Sequence, residues 1–253
     1  MSGRRVVVTG GGGGLGSAIA QALARQGDEV VVADRDLARA EEVARSIAES
    51  GDRAVAVQVD VTRSDSWADL VRAADDRVDV LVNAAGVIAR VTLETLDARS
   101  WSDVMSVNVL GASLGIQAVI PGMKAAGAGV VVNIGSTAAL QAHSDPVYCT
   151  SKWALRGLSK AAAVELAPFG IRVGCVHPGL VPTELTSSAE HYVAAALHAS
   201  PLGRLADGRA IAEAVSYLAG ASAVTGVDLE VDGGYTVGGA VWARRQFTRA
   251  QEA

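Results

Sequence analysis

No run of apolar residues reaches the roughly 18 that a membrane span needs. The first residues pass directly into a strand-like segment, which leaves no room for a signal peptide, so a cytoplasmic protein is expected. Nor is there a basic stripe. The net charge is −5 and the Lys and Arg residues are scattered, so nothing attracts a phosphate backbone and nucleic acid is not an expected partner. The two cysteines, Cys149 and Cys175, form neither a CxxC pair nor a disulfide framework and read as reduced thiols in packed segments. The four histidines, His143, His177, His191 and His198, lack the i, i+4 spacing of a helical zinc site. No metal is expected, and structural or surface roles are the default, with His143 left open because it falls near the reactive residues below. No Pro/Ser-rich linker or charge block interrupts the 253 residues, half of them hydrophobic, so one domain over 1–253 with a single large core is expected.

What is present is alternation. Short β-branched runs (RVVVT, EVVVAD, AVAVQVD, VDVLVN, GVVVNIGS, IRVGCVHPG, GVDLEVDGG) are separated by Ala-rich stretches that read as helices over 15–26, 37–50, 64–75, about 147–168 and 207–219. Each run is nearly continuous in apolar residues, as parallel strands covered on both faces require. The pattern predicts a doubly wound α/β fold with about seven parallel strands and helices on both faces. The least regular stretch, 183–203, is either a connection or a lid over a site.

Directly after the first run stands TGGGGGLG, Thr9 to Gly16. Gly11, Gly13 and Gly16 satisfy G-x-G-x-x-G, while Thr9, Gly10, Gly14 and Gly16 satisfy T-G-x-x-x-G-x-G. A nucleotide triphosphate P-loop would need Lys after the last glycine, where this chain has Ser17. A linker would not sit between a buried strand and an amphipathic helix, whereas a pyrophosphate-binding turn must, because the helix N-terminus offers free N–H groups and a positive dipole end. Asp34 follows Gly16 by 18 residues, near the spacing at which a carboxylate meets the adenosine ribose. It would accept from both ribose hydroxyls and repel a 2′-phosphate, which favours NAD over NADP. Arg35 beside it pulls the other way, since a guanidinium there could pair with that phosphate.

Tyr148 and Lys152 stand at i and i+4, on one helix face. With so few tyrosines and lysines, chance produces such a pair in only about one chain in twenty of this composition. A tyrosine with a pKa near 10 relays protons poorly at neutral pH, and a neighbouring ammonium stabilises its phenolate. Ser136 ends the fifth strand, where ligands gather in open α/β sheets.

At this point the chain resembles the short-chain dehydrogenase/reductase family. The glycine turn in its T-G-x-x-x-G-x-G reading, Asp60-Val61, Asn83-Ala84-Ala85-Gly86, Asn108, Ser136, Tyr148 with Lys152, Pro178-Gly179 and the terminal VDGGY follow that family's markers in order over residues 5–235. The resemblance implies a Rossmann-like fold and a secondary alcohol/ketone oxidoreductase. It implies that Tyr148 exchanges a proton with the substrate oxygen and that Ser136 orients that oxygen. Lys152 would bind the nicotinamide ribose, and Asn108 would hold a water linking Lys152 to solvent. For the cofactor it implies Gly10, Gly14, Leu15 and Gly16 at the diphosphate turn, Asp34 and Arg35 near the adenosine ribose, and Asp60 and Val61 at the adenine. Asn83, Ala84, Ala85 and Gly86 would border the adjacent ribose, with Pro178, Gly179, Val181 and Thr183 at the carboxamide and diphosphate. Gly11, Gly12 and Gly13 then form a middle expected to tolerate substitution. The family also implies a homotetramer assembled through the helices carrying Trp101–Gly115 and Tyr148–Phe169.

Three departures stand out. The interval from Ser136 to Tyr148 is 12 residues, one shorter than is usual in the family, so the loop between them reshapes the substrate pocket. Asp207-Gly208 opens the late helix where the family often has Pro-Glu, a different cap. A tail over 240–253, with Trp242 and Phe247, extends past the last marker. Substrate contacts are expected from Gln141, His143, Leu185 and Tyr192, a mostly apolar set that fits a neutral secondary alcohol or ketone. Two other readings stay open: an NADPH-dependent 3-oxoacyl or polyketide-type ketoreductase, and a dinucleotide-binding regulator without turnover.

Overall fold

The computed structural model describes residues 3–182 and 190–252. Its strands are β1 (Arg5–Thr9), β2 (Glu29–Asp34), β3 (Arg53–Gln58), β4 (Val80–Asn83), β5 (Gly129–Ile134), β6 (Ile171–Pro178) and β7 (Asp228–Val231). The helices are α1 (Gly14–Arg25), α2 (Leu37–Glu49), α3 (Ser64–Ala73), α4 (Ala98–Met105), α5 (Gly111–Ala126), α6 (Pro146–Leu166), α7 (Glu190–His198), α8 (Gly208–Gly220) and α9 (Tyr235–Glu252). The strands form one seven-stranded sheet in the order β3-β2-β1-β4-β5-β6-β7, with every neighbouring pair parallel. This is the doubly wound, Rossmann-like α/β arrangement expected from the alternation.

The apolar runs are continuous because successive residues serve opposite faces. Val6, Val8, Val30, Val32, Val80 and Val82 pack with α1, α2 and α8 through Ile19, Leu23, Ile47, Ile211 and Val215. Between them in sequence, Val7, Val31 and Leu81 point the other way, onto α3, α5 and α6 through Trp67, Leu70, Ile116, Val119 and Leu166. The order reverses between β1 and β4, the topological switch point at which a crevice opens beyond the strand ends.

Helix ends follow local chemistry. Asp36 caps α2 by accepting from Ala38 and Arg39 N–H, Asp145 caps α6 with Pro146 at its first position, and Asp207 accepts from Ala210 N–H at 2.8 Å. The Asp-Gly pair before α8 is therefore a working cap. The tail beyond 240 belongs to α9, whose start is held by Asp232 accepting from the N–H groups of Gly234 and Thr236, both at 2.8 Å. Trp242 is half-buried; the side chain of Phe247 lies outside the described residues.

The helical stretch Ala98–Ala126, made of α4, a π turn at Ser106–Leu110 and α5, has a mean hydropathy of 1.5 over 18 residues, enough by length and composition to cross a membrane. Its buried side is Val104, Gly111, Ala112, Gly115, Ile116, Val119 and Met123, and it packs on α3, β4 and β5. The opposite side, with Trp101 and Leu110, is exposed.

Trp67 is the largest fully buried side chain. Its Nε1–H donates to the Val61 carbonyl at 2.9 Å, and its ring lies so close to α5 that a Cβ on Gly115 would stand 2.6 Å from it. Gly115→Ala is therefore expected to destabilise the protein by about 1–3 kcal/mol through overpacking, read as a lowered urea midpoint at unchanged slope.

Candidate active site

At the crevice, the glycine turn has two residues in the left-handed region, Gly10 at φ +65° and Gly14 at φ +50°. A Cβ on Gly10 would stand 2.9 Å from the Ala85 Cα, and one on Gly16 would stand 2.1 Å from the Gly10 carbonyl oxygen. The middle of the run is not uniformly tolerant, which corrects the expectation above. A Cβ on Gly11 would meet Val32 Cγ1 and the Val8 carbonyl oxygen, both at 2.9 Å, and one on Gly12 would meet Arg39 Cβ at 2.9 Å and Asp34 Oδ2 at 3.0 Å. The turn folds back over the ends of β1 and β2, with Gly11 N–H donating to the Ala33 carbonyl at 3.1 Å. Only Gly13 is roomy: its φ of −161° is extended backbone, and its nearest neighbour is the end of the Arg39 side chain at 3.4 Å. Gly13 is also the N-cap of α1. It supplies no side-chain cap and the first turn has no acid, so the first N–H groups of α1, with Leu15 and Gly16, stay open to an anion.

Asp34 joins this turn directly. Its Oδ2 accepts from Gly12 N–H and its Oδ1 from Asp36 N–H, each at 3.0 Å, leaving lone pairs on both oxygens. Arg35 is exposed beside it. Asp60 sits at the next strand end, where hydrogen bonds from the Thr62 hydroxyl at 2.7 Å and the Thr62 N–H at 3.0 Å hold its carboxyl below the usual range. Val61 is buried, with its carbonyl tied to Trp67.

Across the crevice, Thr9 Oγ1 accepts from Ala84 N–H at 3.1 Å and Ala85 N–H at 3.2 Å, setting the turn that leads to Gly86. Asn83 reaches the site only through its main chain. Its side chain is buried, with Nδ2 donating to Asn133 Oδ1 at 2.8 Å, and Asn133 in turn donates to Ser159 Oγ at 2.8 Å.

Asn108, Ser136, Tyr148 and Lys152 converge from the π turn, the end of β5 and α6. Asn108 is buried: its Nδ2 donates to the Val87 carbonyl and to Ser151 Oγ, both at 2.9 Å, and its Oδ1 accepts from Val87 N–H at 2.8 Å. Its side chain can thus offer a water only the remaining Oδ1 lone pair. Lys152 is also buried, donating to the Ile134 carbonyl at 2.9 Å, with its Nζ 5.5 Å from the Tyr148 ring centroid. Ser136 Oγ accepts from Ala138 N–H at 3.1 Å, so its own proton is available to another acceptor.

Among the expected substrate contacts, His143 borders Tyr148, with ring centroids 5.2 Å apart. Gln141 is half-buried in the same loop. Leu185 and Thr183 lie outside the described residues, and so does the side chain of Tyr192, at the start of α7. Pro178 is buried, Gly179 N–H donates to the Val231 carbonyl at 3.0 Å, and Val181 packs into the core beneath the crevice.

Asp145 was not anticipated. Buried, it accepts from Arg90 N–H at 2.6 Å and Tyr148 N–H at 2.9 Å. It thereby ties the loop around 88–94 to the helix of Tyr148 and holds Arg90 at φ +58°. Its capping role was readable from Asp-Pro at the helix start, but its second partner lies 55 residues away.

Residues 4–193 match the family model described as short chain dehydrogenase. The chain is 37% identical over 244 residues to trans-4-hydroxycyclohexanecarboxylate dehydrogenase of Sinomonas cyclohexanicum, covering 92% of each chain. It is 37% identical over 240 residues to cyclopentanol dehydrogenase of Comamonas sp. (strain NCIMB 9872), covering 91% of this chain and 96% of that one. Among solved structures, a 3-ketoacyl-(acyl-carrier-protein) reductase from Brucella melitensis complexed with NADH superposes with a TM-score of 0.86 at 34% identity, covering 93% of this chain and 99% of that one. The chain belongs to the short-chain dehydrogenase/reductase family. It is an oxidoreductase of CH–OH groups that takes a nicotinamide dinucleotide.

The turn gives a direct test. Gly16→Ala is expected to weaken NADH binding more than about tenfold, while Gly13→Ala changes it by less than about threefold, measured by titration calorimetry.

Proposed function

We propose that the chain is an NAD-dependent dehydrogenase that interconverts a secondary alcohol and a ketone. The observation that carries this reading is the buried Lys152 ammonium 5.5 Å from the Tyr148 ring. The cation and the phenol share one face of α6 at the crevice, which sets Tyr148 to exchange a proton with an alcohol oxygen beside a fixed positive charge. Ser136 uses its free hydroxyl proton to hold the substrate oxygen, and Tyr148 removes or returns that oxygen's proton. Lys152 also holds the nicotinamide ribose, and Asn108 keeps the Val87 turn and Ser151 in register behind it, with its last lone pair open to a relay water. The bound dinucleotide supplies the hydride acceptor.

The residues fit that group. Gly10, Gly14, Leu15 and Gly16 leave an uncapped helix N-terminus for the diphosphate. Asp34 takes the adenosine ribose and disfavours a 2′-phosphate, while Asp60 and Val61 flank the adenine. The turn from Asn83 through Ala84, Ala85 and Gly86 lines the next ribose by main chain, and Pro178, Gly179, Val181 and Thr183 meet the carboxamide and diphosphate. Gln141 and His143 border the substrate end; the other expected contacts, Leu185 and the side chain of Tyr192, and the first part of the 183–203 segment read as a connection or a lid, lie outside the described residues. Similarity to relatives named for cyclopentanol and trans-4-hydroxycyclohexanecarboxylate supports an alicyclic secondary alcohol as substrate.

A second reading, an NADPH-dependent 3-oxoacyl reductase, is favoured in its cofactor by Arg35 beside Asp34 and in its substrate by similarity to the Brucella ketoacyl reductase, which was itself solved with NADH. The enzyme is inferred to act as one domain over 1–253, in the cytoplasm, where its free cysteines stay reduced. It is inferred to be a homotetramer, since Trp101, Leu110, Trp153, Val164 and Phe169 are all exposed on the helices that would meet.

Cyclopentanol, cyclohexanol and acetoacetyl thioesters assayed with both cofactors separate the two readings: alcohol oxidation with NAD supports the first, and thioester reduction confined to NADPH overturns it. Tyr148→Phe is expected to lower kcat about 100- to 10,000-fold with NADH affinity retained. A wild type that binds NADH but turns over nothing in the panel would make the chain a dinucleotide-binding regulator.

A further inference from the structure

His177 is the penultimate residue of β6, followed by Pro178, and is fully buried. Its ring bridges β7 and the turn that carries Ser136. Nε2 lies 3.0 Å from Asp228 Oδ1; Nδ1 lies 3.0 Å from the Ser136 carbonyl oxygen, with the Ser136 N–H aimed at the same nitrogen from 3.4 Å. Asp228 is itself gripped from α6, by Arg156 Nε at 2.9 Å and Lys160 Nζ at 2.8 Å. Gly135 makes room for the ring, since a Cβ there would stand 2.5 Å from His177 Nδ1.

Cys175 Sγ completes a cluster of possible metal ligands with His177 and Asp228. The surroundings oppose a cation. Arg156, Lys160 and His177 already occupy the carboxylate, and burial pushes the Cys175 thiol up to about 11, far from the thiolate a metal needs. The cluster is better read as a brace. Burial raises the Asp228 carboxyl, but hydrogen bonds from Lys160, His177 and Arg156 outweigh that and hold it at about 2, so it remains an acceptor. With Nε2–H donating to Asp228, the other nitrogen faces Ser136 in either state of the ring. Neutral, it accepts the Ser136 N–H; protonated, it donates to the Ser136 carbonyl.

We propose that His177 is a positioning residue for Ser136: Asp228 anchors the imidazole, and Nδ1 fixes the main chain of Ser136 and hence where its hydroxyl meets the substrate oxygen. This rests on the role given to Ser136 above. It also links that serine to α6, because the cations that hold Asp228 lie on the helix that presents Tyr148 and Lys152.

Two substitutions separate positioning from mere packing. Asn at this position places its amide where Nδ1 stands, reaching Ser136 but not Asp228, whereas Gln reaches toward Nε2 and Asp228 but leaves Ser136 unheld. The assay is cyclopentanol oxidation with NAD. His177→Gln is expected to lower kcat about tenfold with the KM for NAD unchanged, and His177→Asn to restore kcat to within about threefold of the wild type. Asp228→Asn, which loosens the ring without emptying its place, gives an intermediate loss. In a Ser136→Ala background the His177→Gln loss disappears. A reversed order of Asn and Gln, or losses that multiply in the double variant, overturns the proposal. A Ser136→Ala variant with full kcat instead overturns the role of Ser136. Crystal structures of the Gln and Asn variants read positioning without turnover: Ser136 displaced only in the Gln variant supports the proposal, and Ser136 unmoved in both refutes it.

Discussion

One hydroxyl stands where the two halves of the sheet part. β1 and β4 are neighbours, yet the chain leaves β1 for α1 on one face and reaches α5 on the other after β4, so their ends must diverge. Divergence opens the crevice just past Thr9 and Asn83, the last paired residues of the two strands. Thr9 Oγ1 spans the gap, accepting from Ala84 and Ala85 N–H while lying 3.4 Å from the Val82 carbonyl. Because Gly10 then presses on Ala85, and Gly16 on Gly10, the glycine turn and the Ala84–Gly86 turn are set as one unit.

A second layer is polar and buried. Asn83, Asn133 and Ser159 run in a hydrogen-bonded line from β4 through β5 to α6, and Asn108 links the Val87 turn to Ser151 on the same helix. Among the described residues no buried side-chain nitrogen or oxygen lacks a partner. Such networks discriminate strongly between registers, because displacing one member leaves others unpaired in a low dielectric. α6 is therefore held at one height against the sheet, and Tyr148 and Lys152 with it. Ser136, Tyr148 and the loop around Arg90 are each tied to a carboxylate, the first through His177 to Asp228 and the others to the buried Asp145.

Much of this was legible beforehand. Period and composition placed the strands, since a strand buried on both faces has no polar alternation to hide it. Tyr148 and Lys152 could be paired from spacing alone because a helix fixes what i and i+4 share. Asn83 was legible as a marker but not in its orientation, because nothing local says that its amide turns toward Asn133. Gly11 and Gly12 looked dispensable in a run of five glycines; Val32, Arg39 and Asp34, which forbid a side chain there, come from the next strand and helix.

By itself, then, the sequence determined the order of the strands and of five of the helices, α1, α2, α3, α6 and α8, the glycine turn after β1, the carboxylate at the end of β2 and the Tyr148–Lys152 pair. These are periodic or short-range features, governed by backbone geometry and by residues a turn apart. Only the tertiary structure decided which glycines are crowded, that Asp145 serves two segments, and that His177 lies between Asp228 and Ser136. The contacts of His177 with Ser136 and Asp228 and of Asp145 with Arg90 join residues 41 to 55 positions apart. They exist only once parallel strands with long crossovers have brought their carboxyl ends to one edge of the sheet.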